Sequence, residues 1–236
     1  MDWSKAKTIL IIALLATNLF LIFTYGFKNF DKSQGTNEVA LLTILEERGI
    51  VINTEIPKSH KAQLIIQGEY ASYSNEKLEE IMTIVDEYDD IEGYISMASY
   101  VVKELDLWCD TMVFEFNNDF EQPTVTIKNR VGDMLLEGSY IKCIFSKGQL
   151  IDFQCKWLIP IEFSSRKVET VSAAVALMSV TNPNENSILI IDDIEMVYWI
   201  PDTDIHVNMA VSDTAFPTWK ITSQNGKEFF IEAVQR

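Results

Sequence analysis

Nineteen consecutive residues near the start of the chain carry no formal charge. The run extends from Ile9 to Phe27 and reads ILIIALLATNLFLIFTYGF. A helix rises about 1.5 Å per residue, so this run would span about 28 Å, close to the hydrocarbon thickness of a bilayer. A helix buried in a soluble protein normally carries a polar stripe, and only a few hydroxyl and amide groups interrupt this run. The sequence therefore predicts a transmembrane helix over 9–27.

The residues that flank this run favour a retained anchor over a cleaved signal peptide, which is the alternative. Lys5 and Lys7 precede the run, as they would in either class. Signal peptides end in small residues at alternate positions, but residues 24–30 read TYGFKNF and contain no such pair. The positive-inside rule places the short basic tail in the cytoplasm. We therefore expect a single-pass protein of the cell membrane with its C-terminal domain outside the cell.

The charge and histidine content exclude several classes of function. Lys and Arg number 19 and Asp and Glu number 35, which gives a net charge of −16. Such an acidic chain does not attract nucleic acid phosphates. His60 and His206 are the two histidines, too few for a His-rich metal site. The sequence has no phosphate loop, nucleophile elbow or zinc-protease motif. We expect a protein that is not an enzyme, with no catalytic residue, cofactor or metal.

The three cysteines are predicted to be small buried thiols. An odd number of cysteines outside the cell leaves at least one unpaired. Cys143 and Cys155 flank a predicted hairpin turn, in which a three-residue loop would place Phe145 opposite Gln149. That register separates the two sulfur atoms by about 13 Å, too far for a disulfide. A disulfide from either cysteine to Cys109 remains the alternative.

Hydrophobic periodicity and turn residues predict an α+β fold with antiparallel sheets. Asn37 is a candidate N-cap for the first helix, which Gly49 would end. The chain then alternates helices with strands that are joined by hairpin-type links, and residues 117–123 form the clearest break. Predicted helices cover 38–48, a segment from 74 to about 88, and 167–180. Predicted strands cover 50–56, 63–70, 111–116, 124–129, 134–145, 149–158, 188–200, with a bend at 192–193, and 206–211.

Two α+β units follow from this order, each an antiparallel sheet packed by a helix. The predicted organisation is a cytoplasmic tail (1–8), a transmembrane anchor (9–27), a linker (28–37), a first α+β domain (38–120) and a second α+β domain (121–236).

The last hairpin has the best-determined register. A two-residue turn at Asn225-Gly226 would mix apolar and polar residues on each face of the hairpin. A three-residue loop that ends at Gly226 instead pairs Ser223 with Lys227 and gathers the apolar side chains on one face. The apolar pattern selects this second register, and it predicts that Trp219 belongs to the core.

Clusters of carboxylates in three parts of the sequence are candidate sites. The densest acidic run, at 86–92, lies at a predicted helix end without the loop spacing that wraps calcium, so a solvated face is the better interpretation. Residues 192–195 and 202–204 contribute carboxylates that could serve glycoside hydrolysis, but nothing in the sequence places them across a cleft. Tyr198 and Trp199 lie on opposite faces of a predicted strand. One of the two rings must lie nearer to solvent, which makes the pair a candidate interaction surface.

The predicted anchor has a face suited to packing against another helix. Ala13, Thr17 and Thr24 fall near one side, and small residues four apart allow helices to approach closely. Asn18 lies beside that face in mid-membrane, where an amide seeks a hydrogen-bond partner. The alternative is that Asn18 is simply tolerated. We expect these four residues to contact a partner helix.

Both ends of the chain carry recognisable motifs. At the start these are Met1-Asp2-Trp3-Ser4-Lys5, Lys7-Thr8 and Asn18-Leu19-Phe20-Leu21. At the end they are Met196-Val197-Tyr198, Pro217-Thr218-Trp219-Lys220-Ile221, the Gly226 turn and Phe229-Phe230. With these motifs, the chain resembles the YycI (WalI) family. The resemblance is vague between about 30 and 185. The three cysteines and the short length depart from the family pattern and indicate a divergent member.

This resemblance implies a regulator. YycI-type proteins lie beside the sensor histidine kinase WalK (YycG), together with the related YycH, and adjust its activity toward the response regulator WalR (YycF) in control of the Gram-positive cell wall. A WalK-like kinase, a YycH-like protein and the membrane are then the expected partners. Two other classes stay open, an extracytoplasmic module that binds cell-wall polymer and a membrane-anchored hydrolase. An exposed aromatic groove would favour the first, and two carboxylates converging in a cleft would favour the second.

The topology is testable in intact cells. We expect the N-terminus inside, residues after about 30 outside, and no cleavage, because basic residues precede the apolar run and small residues do not follow it. Impermeant thiol reagents should label single cysteines placed after residue 30 and should not label one placed in the tail 1–8. A mature protein that starts near residue 26 by mass spectrometry would contradict the retained anchor.

Overall fold

A computed structural model describes residues 17, 34–58, 61–72, 75–82, 90–118, 122–183, 187–200 and 212–235. The chain divides into two compact units, Met1–Gly49 and Ile50–Arg236. The predicted tail, anchor and most of the linker lie outside the described residues, apart from Thr17, which is helical. Within the described ranges, no helix has the length and apolar character needed to cross a bilayer.

The first unit contributes one described helix, α1 (Gln34–Glu47). Its presence was predicted, but it begins earlier than expected, so Asn37 lies inside the helix instead of capping it. Gly49 ends the helix as predicted. It adopts a left-handed conformation with φ of 71°, and its N–H donates to the carbonyl of Glu46 at 2.9 Å.

In the second unit the structure describes ten strands and three helices. The helices are α2 (Asn75–Met82), α3 (Ile91–Glu104) and α4 (Ala173–Met178). The strands are β1 (Ile50–Ile52), β2 (Ile66–Tyr70), β3 (Met112–Asn117), β4 (Thr124–Val131), β5 (Met134–Ser146), β6 (Gln149–Lys156), β7 (Leu158–Phe163), β8 (Leu189–Trp199), β9 (Ser212–Ser223) and β10 (Glu228–Glu232). The predicted strand at 206–211 lies outside the described residues.

All ten strands belong to one mixed sheet, which confirms the α+β class. The order is β3-β4-β5-β8-β9-β2-β7, with β1 beside β8, β10 beside β9 and β6 beside β5. The expectation of purely antiparallel sheets is wrong, because β1 and β5 both pair parallel with β8. These pairings join segments that are distant in the sequence, which hairpin-based reasoning does not detect.

Residues 118–123 connect β3 to β4, which pair from Met112 with Asn129 to Asn117 with Thr124. The predicted domain boundary between 120 and 121 falls in this connection. The strands on its two sides therefore hydrogen-bond to each other within one sheet.

The sheet closes on itself through one long extended segment. Only Trp157 separates β6 from β7, so this segment pairs first with β5 and then with β2. The N–H of Leu158 donates to Ser139 Oγ at 3.0 Å, which ties β7 back to β5. The strands β5, β8, β9, β2 and β7 thus form a ring around a small core. Its buried members are Ile66, Met134, Leu136, Leu158, Tyr198, Ile200 and Ala215.

Gly138 allows β5 to approach β8 inside this ring. Its φ is 81°, and a Cβ atom there would lie 2.8 Å from the carbonyl oxygen of Ile200. The N–H of Ile200 donates to the carbonyl of Glu137 at 3.1 Å, next to this contact. A side chain at 138 would force the two strands apart.

A second core lies where α3 packs on β3, β4 and β5. Asp90 caps α3 by accepting a hydrogen bond from the N–H of Gly93 at 2.7 Å. The pattern of residues 94–107 was ambiguous and no element was predicted there, although the buried positions follow helical spacing. The buried residues of α3 are Tyr94, Met97, Ala98, Val101 and Val102.

The predicted register of the β5–β6 hairpin is wrong. The turn has two residues, Lys147 and Gly148, with φ of 49° and 80°. A bulge in β6, between Leu150 and Asp152, then shifts the pairing with β5 by one residue. Cys143 therefore pairs with Phe153 and not with Ile151, which is exposed. None of the three cysteines forms a disulfide, as expected. Cys143 is buried, whereas the other two are half-buried.

The predicted helix over 167–180 is shorter than expected. Val168 and Thr170 instead form isolated bridges with Gln63 and Val234, and Ser172 caps α4. Because residues 168–170 form extended bridges with other segments, they cannot belong to a helix, and the helix begins only after Ser172. The predicted bend at 192–193 is confirmed, because the pairing of β8 with β9 shifts between Ile191 and Asp193.

The register of the last hairpin is confirmed. The N–H of Ser223 donates to the carbonyl of Lys227, and Trp219 pairs with Ile231. Trp219 is buried, as predicted, and its Nε1 donates to the carbonyl of Val171 at 2.9 Å. This bond ties the sheet to the segment that leads into α4.

Replacing Trp219 should test this core. We expect Trp219→Ala to lower the free energy of unfolding by about 3–5 kcal/mol, because it removes a buried aromatic ring and its hydrogen bond. Trp108 is 46% exposed, so Trp108→Ala is a matched control that should cost less than half as much. Urea unfolding in mild detergent would measure both. Equal losses would contradict the assigned burial.

Candidate functional site

The predicted helix-packing face cannot be placed, because Ala13, Asn18 and Thr24 lie outside the described residues. Thr17 is described, and it is helical and exposed. The histidines and the carboxylates of 202–204 also lie outside the described residues, as does most of the acidic run at 86–92. The candidate surfaces described below therefore all lie in the second unit.

Tyr198 and Trp199 occupy opposite faces of β8, as predicted. Tyr198 lies in the core of the ring and is 4% exposed. Trp199 is half-buried on the outer face, where its ring stacks on Phe230 at 5.4 Å between centroids. Val197 and Thr218 pair with each other beneath this stack, and both are fully buried. Trp199 is thus the ring nearer to solvent.

A row of charged side chains crosses the sheet on the same outer face. We call it the charge row. Six strands supply one member each, in the spatial order β3, β4, β5, β8, β9 and β10. The members are Glu115, Lys128, Glu137, Glu195, Lys220 and Glu228. Sequence analysis did not find this row, because its members lie on six separate strands.

Glu137 and Lys220 form the centre of the row. Lys220 Nζ lies 2.7 Å from Glu137 Oε1, and both side chains are buried. Lys128 Nζ lies 3.1 Å from the other oxygen of Glu137. Each lysine also reaches an outer carboxylate: Lys128 contacts Glu115 at 3.1 Å, and Lys220 contacts Glu228 at 3.0 Å. Both oxygens of the buried carboxylate are therefore paired.

The pairing sets the ionisation of the row. Burial raises the pKa of Glu137, but the hydrogen bond from Lys220 and the charge of Lys128 outweigh it, and the pKa lies below its ordinary value. Burial lowers the pKa of Lys220, but its bonds to Glu137 and Glu228 hold it above the ordinary value. Glu195 lies farther from Lys220 Nζ, at 3.8 Å, and burial raises its pKa.

The buried carboxylate of Glu137 is not placed to act in a hydrolytic pair. A general acid and its partner must both reach the substrate, and a glycosidase needs two carboxyl groups flanking one bond. Glu137 is buried and bound by two lysines, so no substrate can contact it. Asp192 accepts a hydrogen bond from Asn53 at 3.2 Å on the exposed surface. The row holds strands together.

A second outer surface lies on β7, at one end of the strand order. Ile159, Ile161 and Phe163 of β7 are exposed. A bulge in the pairing with β2 places Ile159 opposite Glu69 and Phe163 opposite buried Ile66, so the three side chains do not line one face. Leu158, the first residue of β7, belongs to the ring core.

A cleft of about 270 Å³ lies beside α2 and the end of α3. Lys77 crosses it, donating to the carbonyl of Glu104 at 3.1 Å and contacting Asp106 at 3.1 Å. These contacts satisfy the C-terminal end of α3, so the charged lining has a structural role.

Among the residues that the structure describes, no three histidine, cysteine or acidic side chains are grouped to hold a metal. No protein-family model matches the chain. No curated protein matches it either. The interpretation of function therefore depends on the residues themselves.

The charge row predicts opposite effects for two of its glutamates. Glu137→Gln should lower the free energy of unfolding at pH 7 by about 3 kcal/mol, because it leaves two lysines without their shared buried partner. The ionised form of Glu137 stabilises the fold above the pKa of the unfolded chain, and this contribution is lost as the pH falls through its lowered folded pKa. The difference from the parent should therefore shrink under acid conditions.

Glu195→Gln is the matched control. A raised folded pKa means that the ionised carboxylate opposes folding at neutral pH, so this variant should be as stable as the parent or more stable at pH 7. Urea unfolding of both variants between pH 3 and pH 8 would measure the effect. A larger loss for Glu195→Gln than for Glu137→Gln at pH 7 would contradict the assigned pairing.

Proposed function

We propose that this protein is a membrane-anchored accessory regulator of a sensor histidine kinase of a cell-wall two-component system. The observation that carries the proposal is the resemblance of both ends of the chain to the YycI family, around one uncharged run of nineteen residues. The resembling start combines a short basic tail with a potential packing face. A WalK-like kinase and a YycH-like protein are the proposed partners.

The arrangement of the C-terminal resembling segments supports this proposal. Residues 196–198, 217–221 and 229–230 are separated in the sequence, but they lie on the adjacent strands β8, β9 and β10. They include Tyr198 of the ring core, buried Trp219 and Lys220 of the charge row. The shared residues thus belong to one packed unit, as expected if they specify a common fold.

The proposed mechanism acts through differential contact. A regulator shifts a kinase between two states only if it binds those states with different affinity. A helix packed against the kinase helices can do this, because small residues permit close approach and Asn18 offers a directional bond worth about 1 kcal/mol. A difference of 1 kcal/mol would shift a balanced equilibrium about fivefold.

One observation favours the second candidate, a module that binds cell-wall polymer. Trp199 is half-buried on the outer face, and aromatic rings of this kind stack on sugar rings. Its ring already stacks on Phe230, however, which occupies one face. Binding of isolated wall polymer that Trp199→Ala abolishes, with kinase output unchanged, would favour this alternative.

The anchor variants test the regulatory proposal. We expect Ala13→Leu and Thr17→Leu to weaken association with the kinase several-fold, because added bulk separates the helices. Asn18→Leu should alter kinase-dependent transcription more than insertion, since leucine inserts more readily. A membrane two-hybrid assay and a reporter gene would measure both effects.

Leu15→Phe is the matched control for added bulk. In a helix it lies about 200° around the axis from Ala13, away from the proposed face. It should leave association unchanged. If all three test variants match the parent while the chain still reaches the membrane, the helix is a tether only and the proposed mechanism is wrong.

A further inference from the structure

The strand order ends at β3, and the outer edge of this strand is open. β3 pairs with β4 along its whole length, and no described residue pairs with its other side. The N–H of Arg130 donates to the carbonyl of Thr111 at 3.1 Å, so 111 and every second residue after it bond to β4. Residues 112, 114 and 116 therefore direct their N–H and C=O groups away from the sheet.

The edge of β3 lacks the features that protect an edge strand. Its pairing with β4 contains no bulge, and the strand contains neither proline nor lysine. At the opposite end of the strand order, β7 has a register shift in its pairing with β2 and contains Pro160, which has no N–H. An unprotected edge accepts an extended segment as a further strand, so β3 is suited to strand addition and β7 is not.

The two faces of β3 would offer different side chains to an added strand. The apolar side chains at 112, 114 and 116 pack against the α3 core but are only half-buried. Trp108 is exposed and lies beside Phe114, with 6.4 Å between the ring centroids. Glu115 lies on the opposite face and is 45% exposed. An added strand would thus meet apolar side chains at alternate positions and a carboxylate between them.

The charge row indicates which charge the added strand must carry. Its ion pairs alternate in sign along Glu115, Lys128, Glu137, Lys220 and Glu228. Lys128 divides its ammonium group between Glu115 and Glu137, so Glu115 has only a share of one cation. Arg130 is engaged in the turn after β4, where it donates to the carbonyl of Asp133 at 3.3 Å. A lysine or arginine opposite Glu115 on the added strand would continue the alternation.

A second copy of the chain does not supply this cation. If two copies joined their β3 edges in antiparallel fashion, Glu115 would face an odd-numbered residue of the other copy between 109 and 117. Residues 109–118 contain no lysine or arginine, so every such register leaves Glu115 without a basic partner. Charge complementarity therefore favours a different protein with a basic strand over a second copy.

We infer that the edge of β3 binds an extended segment of a partner protein in which lysine or arginine alternates with apolar residues. The segment joins the sheet as an antiparallel strand, and its backbone bonds to residues 112, 114 and 116. Its basic side chain pairs with Glu115, and the apolar residues beside it cover Phe114 and Phe116. The inference is independent of the proposed kinase partner and of the proposed anchor.

Amide hydrogen exchange of the full chain tests where the segment bonds. NMR in mild detergent follows β3 with and without a short peptide that alternates lysine and valine. We expect the amides of Phe114 and Phe116 to exchange about tenfold more slowly with the peptide than without it. Val113 and Glu115 bond to β4, so their amides should be protected in both samples. Protection of 114 and 116 without the peptide would overturn the inference, because this chain or a second copy would then occupy the edge.

Methylation of the peptide backbone separates strand addition from simple attraction of a basic peptide to an acidic chain. In an antiparallel strand with lysine opposite Glu115, the valine amides face β3 and the lysine amides face away. N-methylation of the valines should therefore weaken binding about tenfold, whereas N-methylation of the lysines should change it by less than about twofold. Fluorescence anisotropy of the labelled peptides would measure both. Any other order of affinities would overturn the inference.

Charge reversal at Glu115 tests the ion pair. Glu115→Lys should bind the lysine peptide about fivefold more weakly than the parent does, and it should prefer a peptide with glutamate in place of lysine. Glu162→Lys makes the same change in net charge at an exposed position of β7, so it is the matched control and should keep the parent's preference.

Equal effects of the two substitutions, or no binding of the lysine peptide to the parent at millimolar concentration, would overturn the inference. Circular dichroism would verify that both variants fold. The methylated peptides are measured on the parent chain, so they decide the question even where Glu115→Lys does not fold.

Discussion

The pairing of Glu137 with Lys220 is the contact on which the second unit depends most. The two residues are 83 positions apart in the sequence and lie on β5 and β9, with β8 between them. Their bond at 2.7 Å therefore spans three strands, one of which pairs parallel with β5. A buried carboxylate is tolerated only when both oxygens are paired, and Lys128 supplies the second partner. These requirements fix the relative position of β4, β5 and β9 more narrowly than apolar packing would.

Local patterns were sufficient to predict many of the elements. The alternation of Trp219, Ile221, Phe229 and Ile231 gave the last hairpin its correct register, because only one turn length places all four on the same face. The same reasoning failed at Lys147-Gly148, where a two-residue turn is compensated by a bulge that alternation does not reveal. The ring was not predictable, because the residue pattern of β5 or of β8 alone does not indicate that the two strands pair in parallel. Glu137 within an otherwise apolar segment was a signal that was missed.

The outer face of the sheet divides into two surfaces with different physical roles. The charge row and the Trp199–Phe230 stack cover β5, β8, β9 and β10, and they bury Val197 and Thr218 beneath them. Their groups are paired with one another, so they contribute to stability and specificity of the fold. On β7, by contrast, the side chains of Ile159 and Ile161 are exposed, beside the exposed side chains of Glu69 and Glu162.

The C-terminal resemblance to the YycI family bears on fold more than on function. Trp219 fills a core, Lys220 pairs with Glu137, and Gly226 adopts φ of 79° in a turn. Each of these residues would be required by any chain that builds this hairpin beside β8, whatever its partners are. A fold can host many functions, so these positions alone cannot assign one. The functional part of the proposal is carried by residues that packing of the second unit does not demand, namely the small and amide side chains of the anchor. Under the proposed function, regulation of a kinase would depend on what those side chains contact in the membrane.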